Sequence, residues 1–513
     1  MAFATSYVVG AVLVGLFLFS RWRRYPLPPG PRGLPIVGNI FNMPRQNAWV
    51  EWVSHKALYG PISSMKVLGQ HFIILNDLQT SIDLLDKRSS IYSGRPTFTF
   101  AGEMIGWDRQ VIMSQYGERF RTMRKLLKGF IGSKVSIVPF QPVQELETRY
   151  FLARLLDDPS SLIANIRLTA GAIALQISHG YRIETHKPDP LVDLVETAAK
   201  EFYIATYPGR WVVDGLPFLK KLPRWLPGTG FFKVADVFRE HNMAQANVPH
   251  NFVKRKLADG TAVSSFTSSL LRQELNPETE DALKWAANAV FGGGSDPSTA
   301  VIATFFLIMT LYPDVQKKAQ EELDSVVGTH KLPTFADRER LPYCEAILKE
   351  MLRWHPVGRL CIPHRVLEDD VYNNYFIPKG SIVFAHMWNI TRDPLYYTDV
   401  ETFKPERFLG KEPELDPNTY IYGFGRRGCP GQDLGNATMF LTIAMVLSVF
   451  NITKAKDASG REIEPIVKFG SGTVSHPEPF EYDVKARSKE AELIIRQVYE
   501  EHPPLPSDGP YLR

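Results

Sequence analysis

Tyr422-Gly-Phe-Gly-Arg-Arg-Gly-Cys-Pro-Gly431 decides how the rest of this chain is read. It holds one cysteine, Cys429, in a glycine-rich loop, behind two arginines and ahead of an apolar helical run over Asp433–Val449. A thiolate is a soft, strongly donating ligand, and haem iron is one of the few partners that takes only one of them from a protein. Gly425 and Gly431 withhold side chains where a flat macrocycle would pass close to the backbone. Arg427 sets a permanent cation two residues from the sulfur, within reach of a haem carboxylate. A bare C-x-G would read equally well as an idle cysteine in a tight turn; ten residues in this order argue for a ligand.

The loop resembles the cysteine-ligand loop of the cytochrome P-450 family, the haem-thiolate monooxygenases, whose usual form is F-x-x-G-x-R-x-C-x-G. Tyr422 stands at the phenylalanine position, and Gly425, Arg427, Cys429 and Gly431 match. Tyrosine keeps the ring and adds a hydroxyl that needs a partner when buried. The resemblance implies the cytochrome P-450 fold, mainly α with small β-sheets (α+β). It implies haem b (iron protoporphyrin) with Cys429 as the axial ligand of the iron. It implies a reaction that places one atom of dioxygen in a lipophilic organic substrate. Electrons are then expected from NADPH through a separate NADPH-cytochrome P-450 reductase, since the chain carries no nicotinamide or flavin fingerprint. Overall similarity is greatest to the microsomal fungal branch, which serves secondary-metabolite biosynthesis.

Other stretches extend the resemblance. Glu350-Met-Leu-Arg353 is an E-x-x-R pair on one helical face. Phe403-Lys-Pro-Glu-Arg-Phe408 follows about fifty residues later. In the family this glutamate and arginine, with the arginine of P-E-R-F, form a buried network; here these are Glu350, Arg353 and Arg407. Their expected role is to hold the cysteine loop in place. Tyr116–Lys125 resembles the family's W-x-x-x-R helix, with Phe120 in place of tryptophan and Arg124 matching the arginine. Pro363-His364 resembles a position that meets a haem propionate, so Arg124, His364 and Arg427 are expected to anchor two carboxylates.

Asp281–Leu311 reads as one long apolar helix interrupted by Gly292-Gly-Gly-Ser-Asp-Pro-Ser-Thr299. Three glycines and a proline inside a helix cost stability unless close approach or a kink is needed. A second membrane span is the alternative, against which the glycines, Asp296 and Pro297 argue. The stretch resembles the family's [A/G]-G-x-[D/E]-T-T, matched at Gly293, Gly294 and Asp296. Pro297 replaces the first threonine, which normally helps deliver protons, and proline has neither hydroxyl nor N–H. Asp296 and Ser298 are therefore the expected catalytic proton carriers. The proline keeps open a haem-thiolate isomerase or dehydratase that needs no dioxygen activation; a non-catalytic haem binder is a further alternative.

The chain has 513 residues, 44% of them hydrophobic, enough for a large core. Fifty-nine basic against 55 acidic residues leave a net charge of +4, which does not suggest a nucleic-acid binder. Three cysteines, Cys344, Cys361 and Cys429, exclude a disulfide scaffold and fit a reducing compartment. Cys344 and Cys361 are expected to be buried packing residues, the latter in an extended run. Residues 1–20 carry no charged side chain and Arg21-Trp-Arg-Arg24 follows at once. Twenty helical residues span about 30 Å, the thickness of the hydrocarbon layer. A cleaved signal peptide would carry its charge before the apolar run. Residues 1–24 are thus expected to be a single-pass anchor in the endoplasmic reticulum membrane, with the catalytic domain cytosolic. Residues 25–40 are expected to be a proline-rich hinge and 41–513 the catalytic domain. Within that domain Ala48–Tyr59 reads as an amphipathic helix, and Phe98, Phe100, Trp107, Phe202, Tyr203, Tyr207 and Ser471–Val474 mark the segments expected around the substrate. The proline-rich Glu501–Arg513 is expected to be loose.

Overall fold

The computed structural model describes residues 25–44, 47–185, 188–207 and 209–512. The anchor expected over residues 1–24 lies outside the described residues. The remainder is predominantly helical, with one four-stranded and two two-stranded sheets among the described residues.

Helices that are apolar all round have only one stable place in a folded chain, its centre. Gln432–Val449 is such a helix, and every residue from Ala437 to Leu447 is buried. Pro277–Leu311 is another, with Thr299–Thr310 buried without a break. The core is built where these two meet Gln141–Asp157, Leu162–His179 and Pro342–Trp354, through side chains such as Phe151, Ile166, Phe305, Ile347 and Phe440. Pro159–His179 and Pro277–Leu311 are long and apolar enough to cross a membrane, yet both are mostly buried within the protein. Asp281 is not where the long helix starts: the Asn276 side chain accepts from Thr279 N at 2.8 Å, and Pro277 occupies the first turn.

The four-stranded sheet runs Ile62–Val67, Gln70–Leu75, Ile382–Ala385, His364–Arg365. Its hairpin pairs Ile62 with Leu75 across Leu68 and Gly69, both at positive φ (47° and 89°). Two consecutive positive φ values match the twist of a tight hairpin. Asn373 and Asn374 do the same between Asp370–Tyr372 and Tyr375–Ile377.

Three expectations need correcting. The helix over Ala48–Tyr59 is broken, Ala48–Glu51 and His55–Tyr59 being separated by a 3-10 turn that carries Trp52 into the core. The proline-rich stretch does not stand off from the domain. Pro29 O accepts from Ser64 N at 2.7 Å and Pro26 O from Phe376 N at 2.7 Å. At Gly30 a Cβ would lie 1.8 Å from Ser64 O, so the close approach needs glycine. The end of the chain is tied down as well. Arg182 N donates to Asp508 Oδ2 at 3.0 Å, Lys256 pairs with Asp508 at 3.1 Å, and the Lys256 ammonium lies 3.8 Å from the Tyr511 ring centre.

Candidate active site

The cysteine loop closes on itself. Cys429 N donates to Tyr422 O at 2.8 Å, and the short turn Gly425–Arg427 lies inside the closure. The extra hydroxyl of Tyr422 is satisfied by Asn436 Oδ1 at 2.6 Å. Gly425 has φ +52° and a Cβ there would lie 2.5 Å from Leu85 O. Backbone conformation and packing against the chain itself already require glycine there. A Cβ at Gly431 would make only ordinary contact, 3.9 Å from Ile131 Cδ1.

Cys429 is exposed, and with Tyr116, Phe120, Arg124, Arg426 and Pro430 it lines a cleft of about 530 Å³. Although its side chain reaches the cleft, the protein crowded around it raises the thiol pKa, opposed by the Gly431 backbone and by Arg124. Cys344 is buried in its helix. Cys361 is half-buried at φ +54°, in a turn and not in an extended run.

The cations gather nearby, with a different division of labour from that expected. Arg427 is buried and spends its guanidinium on backbone: Nε donates to Ser93 O at 2.9 Å and Nη2 to Ser114 O at 2.8 Å. The same guanidinium lies 3.8 Å from the centre of the Phe120 ring, so this phenylalanine takes a cation on its face. His364 Nδ1 bonds Tyr92 O at 2.7 Å, and burial holds its pKa well below the ordinary value, leaving it neutral. A third arginine, missed in the sequence, belongs here. Arg95 is buried, with Nε donating to Ile112 O at 2.8 Å and Nη1 to Pro363 O at 2.8 Å. Its signal was the unused Ser93-Gly-Arg-Pro96 stretch.

Among the described residues none of Arg95, Arg124 and Arg427 forms an ion pair with a carboxylate. Burial, then Arg95 and Arg124, push Arg427 down to about 8; burial, opposed by Cys361, and then Arg124 push Arg95 down to about 10. Buried cations are normally paired, so this cluster calls for an anion from outside the chain.

Glu350 is completely buried. It accepts from Arg353 Nε at 2.7 Å and Nη2 at 2.8 Å, from Arg407 Nε at 3.1 Å and from Lys404 N at 2.9 Å. The spare donors are used too: Arg353 Nη1 meets Val400 O at 2.8 Å and Arg407 Nη1 meets Glu414 at 2.7 Å. The structure thus brings all three residues into one network, anchored on the segment that leads to the cysteine loop.

Asp296 lies on the long helix, hydrogen-bonded by Tyr203 Oη and 2.9 Å from His476 Nε2. Burial opposes its charge, but His476, Tyr203 and Arg167 outweigh that and hold the carboxyl below its ordinary value. The sequence put Tyr203 near the substrate without seeing this bond; His476, just beyond the expected turn, was missed. Thr299 is buried and bonds Ser295 O at 2.9 Å, within its own helix. Around Gly292 and Gly293 an added Cβ would meet nothing within 4 Å, and Gly293 is exposed in the middle of the helix. Of the expected substrate aromatics, Phe100 stacks on Trp211 at 3.7 Å and Trp107 packs against Phe202 at 4.6 Å. These rings form a cluster of their own, with Phe100 fully buried.

The residues present fit a haem. Cys429 is exposed at the cleft, Arg95, Arg124 and Arg427 have no carboxylate partner among the described residues where two propionates would supply one, and the long helix is bare of side chains at Gly292 and Gly293. Helix-dominated architecture and a single cysteine in such a loop define a haem-thiolate protein. The comparisons agree. The family described as Cytochrome P450 matches residues 28–484. Cytochrome P450 monooxygenase claR of Ampulloclitocybe clavipes is 59% identical over 98% of this chain and 93% of its own length. Cytochrome P450 monooxygenase 208 of Postia placenta is 44% identical, over 96% of this chain and 97% of its own. O-methylsterigmatocystin oxidoreductase of Aspergillus flavus is 36% identical, over 97% and 95%. The chain belongs to the cytochrome P450 family and is an enzyme, a monooxygenase of the fungal type.

Proposed function

We propose that this enzyme is a membrane-anchored haem-thiolate monooxygenase of secondary metabolism, acting on a lipophilic substrate. The observation that carries the reading is the exposed Cys429 near half-buried Arg124 and the buried Arg95 and Arg427, none of the three arginines having a carboxylate partner among the described residues. Cys429 would hold the iron of haem b, and Arg95, Arg124, His364 and Arg427 would surround the propionates. Bound there, the haem supplies reductive dioxygen activation, the thiolate donating electron density that favours O–O cleavage. Glu350, Arg353 and Arg407 fix the segment that carries the loop. Asp296 and Ser298 hold and pass protons, Asp296 at Oδ1, since Pro297 supplies no hydroxyl. The aromatic cluster of Phe98, Phe100, Trp107 and Phe202 supports an apolar substrate and the exclusion of water.

Electrons would come from NADPH through a reductase. Arg121, Lys125 and Lys128 are exposed along one face of the helix Glu118–Ile131, and with Arg426 they line the Cys429 cleft. A basic rim this close to the ligand suits an acidic redox partner. Residence at the endoplasmic reticulum is supported by the uncharged run of residues 1–20 and by Ile36 and Phe41, 95% and 82% exposed just beyond it. Ile36 and Phe41 are too apolar to favour open water and suit a bilayer surface.

The test is reduction of the full chain under carbon monoxide, then turnover with a reductase, NADPH and isotopically labelled dioxygen. The expected result is the red-shifted Soret band of a thiolate-bound haem, lost in Cys429→Ala, and one labelled oxygen atom in the product. A colourless protein, or an unchanged band in the variant, overturns the ligand assignment. Pro297 favours one rival, isomerisation or dehydration of a peroxide, and turnover of a peroxide without reductase or dioxygen would establish that rival instead.

A further inference from the structure

The Asp296 carboxylate joins three parts of the chain. It projects from the long helix, takes a hydrogen bond on Oδ2 from Tyr203 of the helix Pro190–Thr206, and meets His476 Nε2 at Oδ1. Among the described residues, Tyr203 to Asp296 is the only side-chain hydrogen bond between those two helices. The Asp296 and His476 side chains each keep 27% exposure, so the pair is fixed by protein yet open to water. The neighbouring hydroxyls do not do this job. Pro297 has none, Thr299 is committed to Ser295 O, and Ser298 makes no side-chain hydrogen bond among the described residues.

We propose that His476 is the positioning residue and proton-exchange partner of Asp296, and that Tyr203 completes the pair only when the helix Pro190–Thr206 is docked. Proton supply and closure of that helix are then a single event, and an open enzyme is poor at delivering protons. This rests on the oxygen-activating reading above. The step balances without any electron moving. The Nε2–H bond of the protonated ring breaks and an O–H bond forms at Asp296 Oδ1, leaving neutral imidazole and a neutral acid. The acid passes its proton to Ser298 Oγ or to a water beside Pro297, that oxygen gives up its own O–H proton onward in the same step, and the acid becomes carboxylate again. The ring reloads from solvent at Nδ1. Tyr203 holds Oδ2 throughout, so the carboxylate keeps its orientation.

The experiment compares His476→Gln and Tyr203→Phe with the parent, all haem-loaded, full-length and supplied with reductase. Glutamine can still donate to Asp296 but cannot carry a proton. Three quantities are read: peroxide released per NADPH, hydrogen exchange over residues 190–206, and the dissociation constant of a ligand that shifts the haem spin state. His476→Gln should raise the peroxide fraction by about tenfold or more with exchange and ligand affinity unchanged. Tyr203→Phe should raise both the peroxide fraction and exchange over 190–206. His476→Asn serves as the second variant if the glutamine variant does not fold. Parental peroxide release in the His476 variants, or exchange as fast in them as in Tyr203→Phe, overturns the proposal by reducing His476 to a structural tie. Parental exchange in Tyr203→Phe overturns the coupling to closure. A parent without the thiolate carbon monoxide band defeats the haem reading and this inference with it, whereas a parent that shows the band and variants that keep parental peroxide release defeat this inference alone.

Discussion

Replacing Glu350 by alanine strands two guanidinium groups in the core. Arg353 is fully buried and the Arg407 side chain is 1% exposed, so neither can turn to water. Four hydrogen bonds end on the Glu350 carboxylate. Breaking a buried pair by removing one partner costs about 3–5 kcal/mol, because the charge left behind is uncompensated. At about 2.1 cal/mol/K of unfolding entropy per residue, a cooperative unit of 513 residues then loses about 3–5 °C in its melting midpoint. Glu345→Ala is the control. Its pair with Arg338 is 28–29% exposed on each side, and such a surface pair contributes about 0–1 kcal/mol. Calorimetry and haem stoichiometry are measured together on both variants. The expected outcome is a lowered midpoint and a mostly haem-free product for Glu350→Ala only. A Glu350→Ala protein that melts within a degree of the parent with full haem would refute the argument that this network supports the cysteine loop.

Tyr422→Phe removes the bond to Asn436 and should cost about 1 kcal/mol in thermal stability while leaving the carbon monoxide spectrum in place. Pro297→Thr restores a backbone N–H inside the long helix and should stabilise the protein by up to about 3 kcal/mol in denaturant titration, with less peroxide per NADPH. Asp296 titrates below the ordinary carboxylate range in the folded chain, against about 3.9 unfolded, so its contribution is present above that value and lost as the pH falls through the folded one. The melting difference between parent and Asp296→Asn should therefore shrink on acidification below about pH 4. Reversing Lys125 and Lys128 to glutamate should slow reduction by an acidic flavoprotein and flatten its salt dependence, read by stopped flow, with the Soret band unchanged.

Much of this was legible because local chemistry forced it. A helix apolar on every side, as in Ala437–Leu447, can only be central, and the ten-residue cysteine loop has few other uses. Glu350, Arg353 and Arg407 were readable from order alone. What escaped notice depended on approach in space. Arg95 lies 29 residues from Arg124 and over 300 from Arg427, and only the fold brings them near one another. Tyr203, Asp296 and His476 likewise come from three distant segments. The packing need for glycine at 425 escaped because its neighbour is Leu85 O, an atom no spacing rule reveals. The tail escaped because one charge, Asp508, outweighs its prolines.

The hydrogen bond from Ser64 to Pro29 bears on where this polypeptide can be shortened. Ile62–Val67 is the outermost strand of its sheet, and Pro29, with Gly38 opposite Val67, covers its open side. Shortening the polypeptide to begin at Tyr25 removes the uncharged run of residues 1–20 and keeps that cover. Beginning at Phe41 would bare a row of unpaired amides, an invitation for a second copy to stitch itself alongside.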